Sequence, residues 1–246
     1  DEGEVGTFKD RYLLQKTPFA LLEGMAICAT AIGAKKAYIY LRAEYRYLLK
    51  GLQKAIDQCK DKGYLKDLEL EIREGAGAYI CGEESALMNS IEGKRGESRF
   101  RPPFPPTSGL FESPTIINNV ETLVNVPLIL EKGSAWYQGL GTEQSKGTKL
   151  FCVSGDVERP GVYEMELGCD LRELVVDLAG AKDVRWVQVG GSTGSVLPGE
   201  YLDTALSYET VLGSGAVMVF DRSRDVIDFV YRTVEFLNEE SCGKCA

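Results

Sequence analysis

The residues of this 246-residue chain that could do chemistry gather in a few short stretches. Residues 74–98 carry glycines at 75, 77 and 82, then two adjacent carboxylates, Glu83 and Glu84. Glycine lets a backbone approach a ligand closely, and a helix that begins at Gly82, Glu83 and Glu84 offers free N–H groups to an anion. The spacing is not the dinucleotide fingerprint, because Ile80 stands in the place of the third glycine. A cofactor loop and a plain glycine-rich turn satisfy it equally. Lys94, Arg95, Arg99 and Arg101 then form a basic cluster, followed by Phe104 within a run of four prolines. Such a segment is either a solvated connector or a clamp on an anionic, planar ligand. Arginine suits phosphate and an aromatic on a stiff frame can stack on a ring, which favours the clamp. Asn118 and Asn119 precede an apolar run, with Thr122 a turn further on; alone they read as helix caps. Cys242 and Cys245 form one Cys-x-x-Cys pair. One pair cannot fill four metal positions, and a redox dithiol lacks its usual strand–helix setting here.

The elements that must position these residues follow from periodicity. Thr17 caps and Pro18 opens an apolar helix that ends at Gly33. Residues 37–41 read as a buried strand. Residues 44–59 read as an amphipathic helix with Tyr47, Leu48, Leu52 and Ile56 on one face, stopped by Gly63. Residues 68–72 alternate as a strand that runs straight into the glycine stretch and its helix. This alternation of helix and strand is the grammar of an α/β sheet, largely parallel, whose ligands bind beyond the carboxyl ends of the strands. Residues 134–147, rich in glycine, read as a linker. From Thr148 the chain changes to short β elements, a short helix at 171–178, and a Gly190–Gly194 stretch that reads as a loop between strands rather than an anion site. That is a small α+β domain of the β-grasp kind. A last helix spans 224–239.

Composition sets the outer bounds. A net charge of −9 disfavours nucleic acid or an anionic membrane face as partner, and no apolar run is long enough to span a bilayer. The chain opens on Asp1 with neither an initiating Met nor a signal-peptide pattern. There is no histidine, which excludes Ser-His and Cys-His pairs and His metal sites within the chain. Seven cysteines without regular spacing argue against a disulfide framework. Cys28, Cys59, Cys152 and Cys169 read as buried apolar residues, and Cys81 as a packing residue beside the glycine loop.

Three ordered stretches together carry a resemblance: the acidic start Asp1-Glu2-Gly3-Glu4-Val5-Gly6-Thr7-Phe8-Lys9-Asp10-Arg11, the run from Gly75 to Glu84, and Ile117-Asn118-Asn119-Val120-Glu121-Thr122. They resemble the NADH-binding flavoprotein subunit of respiratory complex I, a module also found in NAD-linked hydrogenases and formate dehydrogenases. Residues 240–245 look like the start of that family's four-cysteine iron–sulfur motif. The resemblance covers essentially the whole chain. It implies an FMN/NADH-binding, Rossmann-like α/β domain over 1–133, the linker at 134–147, a β-grasp domain of the soluble-ligand-binding type over 148–222, and the start of a helical iron–sulfur domain over 223–246. It also implies an internal fragment, with a further flavin loop before Asp1 and two more cluster cysteines after Ala246.

The same resemblance places Asp1, Glu2, Gly82, Glu83, Glu84, Asn118, Asn119 and Thr122 around FMN, and Glu4 and Phe104 near NADH. Arg101 stands where a basic residue, often lysine, contacts the dinucleotide, whereas Val5 departs from the usual proline. Cys242 and Cys245 match two of four ligands of a 4Fe-4S cluster. The implied reaction is hydride transfer from NADH to FMN, then single-electron transfer to iron–sulfur protein subunits of a larger complex. Glu84 takes a positioning and electrostatic role and Phe104 stacks on adenine. The implied location is cytoplasmic, peripheral to the membrane through partner subunits. The alternative is a non-catalytic nucleotide- or flavin-binding subunit, or an assembly subunit, of such a complex.

Overall fold

A computed structural model describes residues 1–244, which form two compact units. The fold is mixed α/β. The first unit comprises Asp1–Gly3, Asp10–Glu131 and the segment from Glu240 onward. It opens with α1 (Lys9–Lys16) and α2 (Pro18–Ile32). Pro18 takes the first turn of α2, where a missing N–H costs nothing, and Gly33 ends the helix in the left-handed conformation at φ 72°. Thr17 sits at the expected cap position, but its hydroxyl donates backward to the Leu13 carbonyl (3.0 Å) instead of capping α2. Gly24, in mid-helix, is required by packing: a Cβ there would collide with the Leu123 carbonyl.

Strand β1 (Lys36–Leu41) pairs in parallel with β2 (Glu69–Glu74), Ile39 opposite Ile72. Between them the expected 44–59 helix is broken in two. Ala43–Leu48 winds as a 3₁₀ turn and α3 runs over Leu49–Asp61. Three residues per turn put Tyr45 and Leu48 on the buried side and expel Tyr47, which is 62% exposed. The inward face of α3 is Leu52, Ala55, Ile56 and Cys59. These join Leu21, Leu22, Leu41 and Leu70 in one core. After β2 the chain makes a 3₁₀ turn at Tyr79–Gly82 and enters α4 (Glu84–Ile91); α5 (Val120–Lys132) follows a long irregular segment.

The second unit comprises Glu4–Lys9 and Lys132–Glu239. Within residues 134–147, read from the sequence as a linker, the chain forms α6 (Ser134–Gln138) and a turn closed by Gly141 and Lys146. Five strands then make one sheet: β3 (Thr148–Gly155), β4 (Gly161–Glu166), β6 (Trp186–Val189), β7 (Ser195–Pro198) and β9 (Ala216–Phe220), in the order β4-β3-β9-β6-β7. Only the β3–β9 pair is parallel. Two short strands, β5 (Cys169–Asp170) and β8 (Ala205–Leu206), pair separately. The helix expected at 171–178 is wound as a π-helix over Glu173–Leu178, with the Ala179 N–H reaching the Leu174 carbonyl. It presents Leu174 and Val175 to a core of Phe151, Val153, Val187 and Val217. The last helix, α7 (Val226–Glu239), anchors Phe229 on the stacked pair Trp186 and Phe220.

Candidate functional site

The three glycines of the 74–98 stretch have different physical reasons. At Gly75 a Cβ would collide with the Tyr40 hydroxyl, which itself meets the Ser90 hydroxyl at 2.9 Å. At Gly77, φ +90°, a Cβ would sit 2.9 Å from Glu44 Oε1. These two glycines therefore make room for the protein's own side chains. Beside Gly82 a Cβ would meet nothing within 4 Å. Gly82 is thus the one of the three where open space adjoins the backbone. Cys81 next to it is buried and packs against Gly96, whose Cβ would lie 2.7 Å from the sulfur.

The start of α4 is not free to hold an anion. Glu83 caps it, accepting from Ser85 N (3.0 Å), Ser85 Oγ (2.5 Å) and Ala86 N (2.9 Å). Burial acts to raise the Glu83 pKa, but these bonds and Arg101 outweigh it and hold the carboxyl below the ordinary range. Arg101 Nη2 lies 2.6 Å from Glu83 and 2.8 Å from Glu84, so one guanidinium ties both carboxylates.

The basic cluster is likewise corrected by the structure. Lys94 pairs with Glu92 (2.6 Å), and Arg95 with Glu97 (3.9 Å). Arg99 spans Glu92 (2.8 Å), Asn89 Oδ1 (2.8 Å) and the Gly109 carbonyl (2.9 Å). Arg99 is a strap that holds the irregular 94–114 segment onto α4. All four basic residues pair with the protein's own acids, so Lys94, Arg95 and Arg99 do not form the anion clamp read from composition, and Arg101 is held at the two carboxylates beside Gly82. Phe104 does stand out, 55% exposed, with its carbonyl accepting from Thr107 and Ser108 in a tight turn.

A cavity of about 500 Å³ runs along α2 and β1 in the first unit. Apolar residues such as Met25, Ile39, Leu87 and Val120 line it, together with Asp1, Glu2, Asp10, Asn118 and Asn119. Glu2 is committed to structure: it accepts from Asp10 N (2.8 Å), Arg11 N (3.2 Å) and the Tyr45 hydroxyl (2.8 Å), capping α1. Burial, and Asp10 beside it, push the Glu2 pKa up. Asn119 behaves as the cap expected for α5, its Oδ1 accepting from Glu121 N (3.0 Å), while its Nδ2 donates to Asp10 Oδ2 (2.8 Å). Both carboxylate oxygens of Asp1 are buried without a hydrogen-bond partner. A buried, unpaired acceptor carries a desolvation cost of about 1–3 kcal/mol, more for a charge, unless a donor meets it. An apolar slot with orphaned acceptors fits the ring and hydroxyl part of FMN. The phosphate is less well served, since the four cations at 94–101 are already paired.

Other expected residues fall elsewhere. Thr122 is exposed on α5 and does not line the cavity. Glu4 belongs to the second unit, where Ser192 N donates to its Oε1 (2.6 Å). The Gly190–Gly194 stretch is the loop between β6 and β7, as expected, yet its backbone also receives a carboxylate, that of Glu4. Cys242 lies in the returning segment of the first unit. There Glu240 accepts from Tyr79 N (3.1 Å), and Lys244 pairs with Glu97 (3.3 Å). Cys245 lies outside the described residues, and among the described residues no group of three or more His, Cys, Asp or Glu could hold a metal. Tyr40, Tyr45 and Glu240, which shape the glycine turn and the acidic start, carry no local signal, because their hydrogen-bond partners are 43 or more residues away in sequence.

Comparison with known proteins agrees over the full length. A family model described as the Nuo51 FMN-binding domain matches residues 1–128. An NADH-quinone oxidoreductase subunit of Rhizobium meliloti is 44% identical, over all of this chain and 62% of its own length. The NADP-reducing hydrogenase subunit HndC of Solidesulfovibrio fructosivorans is 41% identical, over all of this chain and 54% of its own. Among solved structures, an NAD+-reducing [NiFe]-hydrogenase in the air-oxidized state superposes with a TM-score of 0.96 at 49% identity, covering all of this chain and 43% of that one. The chain thus spans roughly half to three-fifths of the curated relatives described here.

Proposed function

The chain belongs to the Nuo51 FMN-binding family, and from that premise we propose that it is the flavoprotein module of an NADH:acceptor oxidoreductase. The observation that carries this reading is the buried Asp1 carboxylate, without a hydrogen-bond partner, on a cavity shared with Asn118 and Asn119. Asp1 and Asn118 would accept from and donate to the polar edge of FMN, and Gly82 would let the backbone approach it. Glu2, Glu83, Asn119 and Thr122 would act around this first group, the first three by holding α1, α4 and α5 in place. When bound, FMN accepts two electrons as hydride from NADH and releases them singly to iron–sulfur partners.

Glu84 would favour the cationic nicotinamide product by its charge, with Arg101 holding it in place and reaching the dinucleotide. Phe104 would stack on adenine, and Glu4 would contact NADH. No side-chain acid or base is needed, which accords with a chain without histidine. In the same reading residues 148–222 are the β-grasp domain of the soluble-ligand-binding type, supported by a mixed five-stranded sheet packed on one helical segment. Residues 223–246 begin an iron–sulfur domain in which Cys242 and Cys245 would supply two ligands of a 4Fe-4S cluster. Among the described residues no helix is long and apolar enough to cross a membrane, and a cytoplasmic, peripheral position through partner subunits is part of the proposal.

The test is optical. Purified protein with FMN should show a flavin spectrum that bleaches on adding NADH. Glu84→Gln should slow that bleaching in a single turnover by about tenfold, the scale of one lost charge interaction. An unchanged rate would remove Glu84 from the mechanism, and a protein that takes up no FMN would remove the reading as a whole. One observation favours the alternative, a subunit that mainly holds partners. Helix α7 exposes Ile227, Val230, Tyr231 and Val234 on one side, at spacings of three and four.

A further inference from the structure

Glu4 lies on the short segment Glu4–Lys9 that joins the second unit, and that segment is pinned along its length. Thr7 N donates to the Glu4 carbonyl (3.0 Å), the Thr7 and Ser214 hydroxyls meet at 2.8 Å, and Phe8 N reaches Cys152 Sγ at 3.1 Å. The Glu4 carboxylate is gripped as well. Its Oε1 accepts from Ser192 N (2.6 Å) and Val5 N (3.2 Å).

The loop that supplies Ser192 N is unusually constrained. Gly190 and Gly191 both have positive φ, +95° and +90°. Gly190 is pressed against Gly213, and any side chain at Gly213 would strike its backbone. Gln188, buried in β6, donates to the Gly191 carbonyl, and Gly194 N closes the turn on that same carbonyl (2.9 Å). At Gly191 itself a Cβ would overlap the Glu4 Cγ and Cδ. Positive-φ glycines are common in hairpin turns, but a hairpin needs neither the Gly213 contact, nor the buried Gln188, nor a carboxylate packed on its Cα. The backbone is shaped so that glycine yields room for a carboxylate and the next N–H holds it.

From this we infer that the Gly190–Gly194 hairpin is a positioning element for the dinucleotide: Gly191 and the Ser192 N–H set the Glu4 carboxylate for contact with NADH. The inference rests on the reading above that Glu4 contacts NADH, and adds the part of the chain that aims it. Gly191 and Ser192 act through Glu4. Their effect therefore falls on the binding of NADH and not on the rate of flavin reduction once NADH is bound.

The experiment measures flavin reduction by NADH in stopped flow with FMN-loaded protein, giving the NADH Kd and the limiting rate separately. Gly191→Ala should raise the NADH Kd roughly tenfold, the scale of one hydrogen bond to a charged group, and leave the limiting rate within about twofold. Combined with Glu4→Gln, it should add nothing to the loss that Glu4→Gln causes alone. If Glu4→Gln weakens NADH and Gly191→Ala does not, or if the two losses add, the hairpin does not act through Glu4 and the inference is overturned while the functional reading stands. If Glu4→Gln leaves NADH affinity unchanged, the assignment of Glu4 itself fails and takes the inference with it. Should Gly191→Ala not retain flavin, Ser192→Pro is held to the same outcomes, since it removes the N–H and sets its ring carbon against the Glu4 carboxylate in its place.

Discussion

At the scale of single residues, charge in this protein is spent locally. Glu92 shows this most clearly. Its side chain is 6% exposed and meets Lys94, Arg99 and the Phe111 N–H (2.8 Å). Burial alone would raise its pKa, but those three partners bring it down to about 2. A carboxyl whose folded pKa is depressed contributes stability above its unfolded value, here about 4.5, and that contribution is lost as pH falls toward about 2. Melting temperature should therefore drop between these two pH values, and Glu92→Gln should be less stable at neutral pH with a flatter acid limb. An acid limb identical to that of the parent would show that Glu92 does not hold the 94–114 segment. The basic residues beside it were legible as a cluster, but the sequence could not say that each would find an acid of its own. Glu92 and Glu97 stand within ten residues of the arginines, and folding, not spacing, chose between a ligand's phosphate and these carboxylates.

At the scale of elements, the helices and strands were largely readable, and the departures have physical causes. The 44–59 stretch has helical periodicity throughout, yet its first five residues tighten to 3₁₀, and Tyr45 reaches Glu2. The 171–178 stretch is helical as expected but π-wound, a change that hydrophobic spacing does not encode. Gly24 illustrates the opposite case. By propensity a mid-helix glycine is a weakness, whereas the packing of α5 on α2 makes it necessary. Gly24→Ala should accordingly destabilise the protein by about 1–3 kcal/mol, the cost of overpacking, where a helix-propensity argument alone gives a gain. Denaturant unfolding decides between the two signs.

At the scale of the whole molecule, the formal net charge of −9 would set the long-range field met by the anionic dinucleotide of the proposed function. With the cations at 94–101 paired to acids, no surplus positive charge from that cluster offsets it. NADH association should thus accelerate, by about twofold, as added salt screens the repulsion. A rate that falls with salt would mean that a local cationic field steers NADH despite the net charge. The exposed apolar side of α7 belongs to this scale too, since nothing within the second unit covers Ile227 or Val234.

The sequence by itself determined the family, because three ordered motifs of specific residue types are local and survive without coordinates. It also determined the sheet-and-helix grammar around the glycine turn, because hydrophobic period and glycine or proline punctuation are local properties of the chain. Tertiary structure alone decided what each motif residue touches. It gave Gly75 and Gly77 to Tyr40 and Glu44 and left Gly82 beside open space. It turned Glu2 and Glu83 into helix caps and delivered Glu4 to a hairpin 188 residues away. Such pairings depend on which buried groups lack a closer partner, and that is settled only when the whole chain has packed.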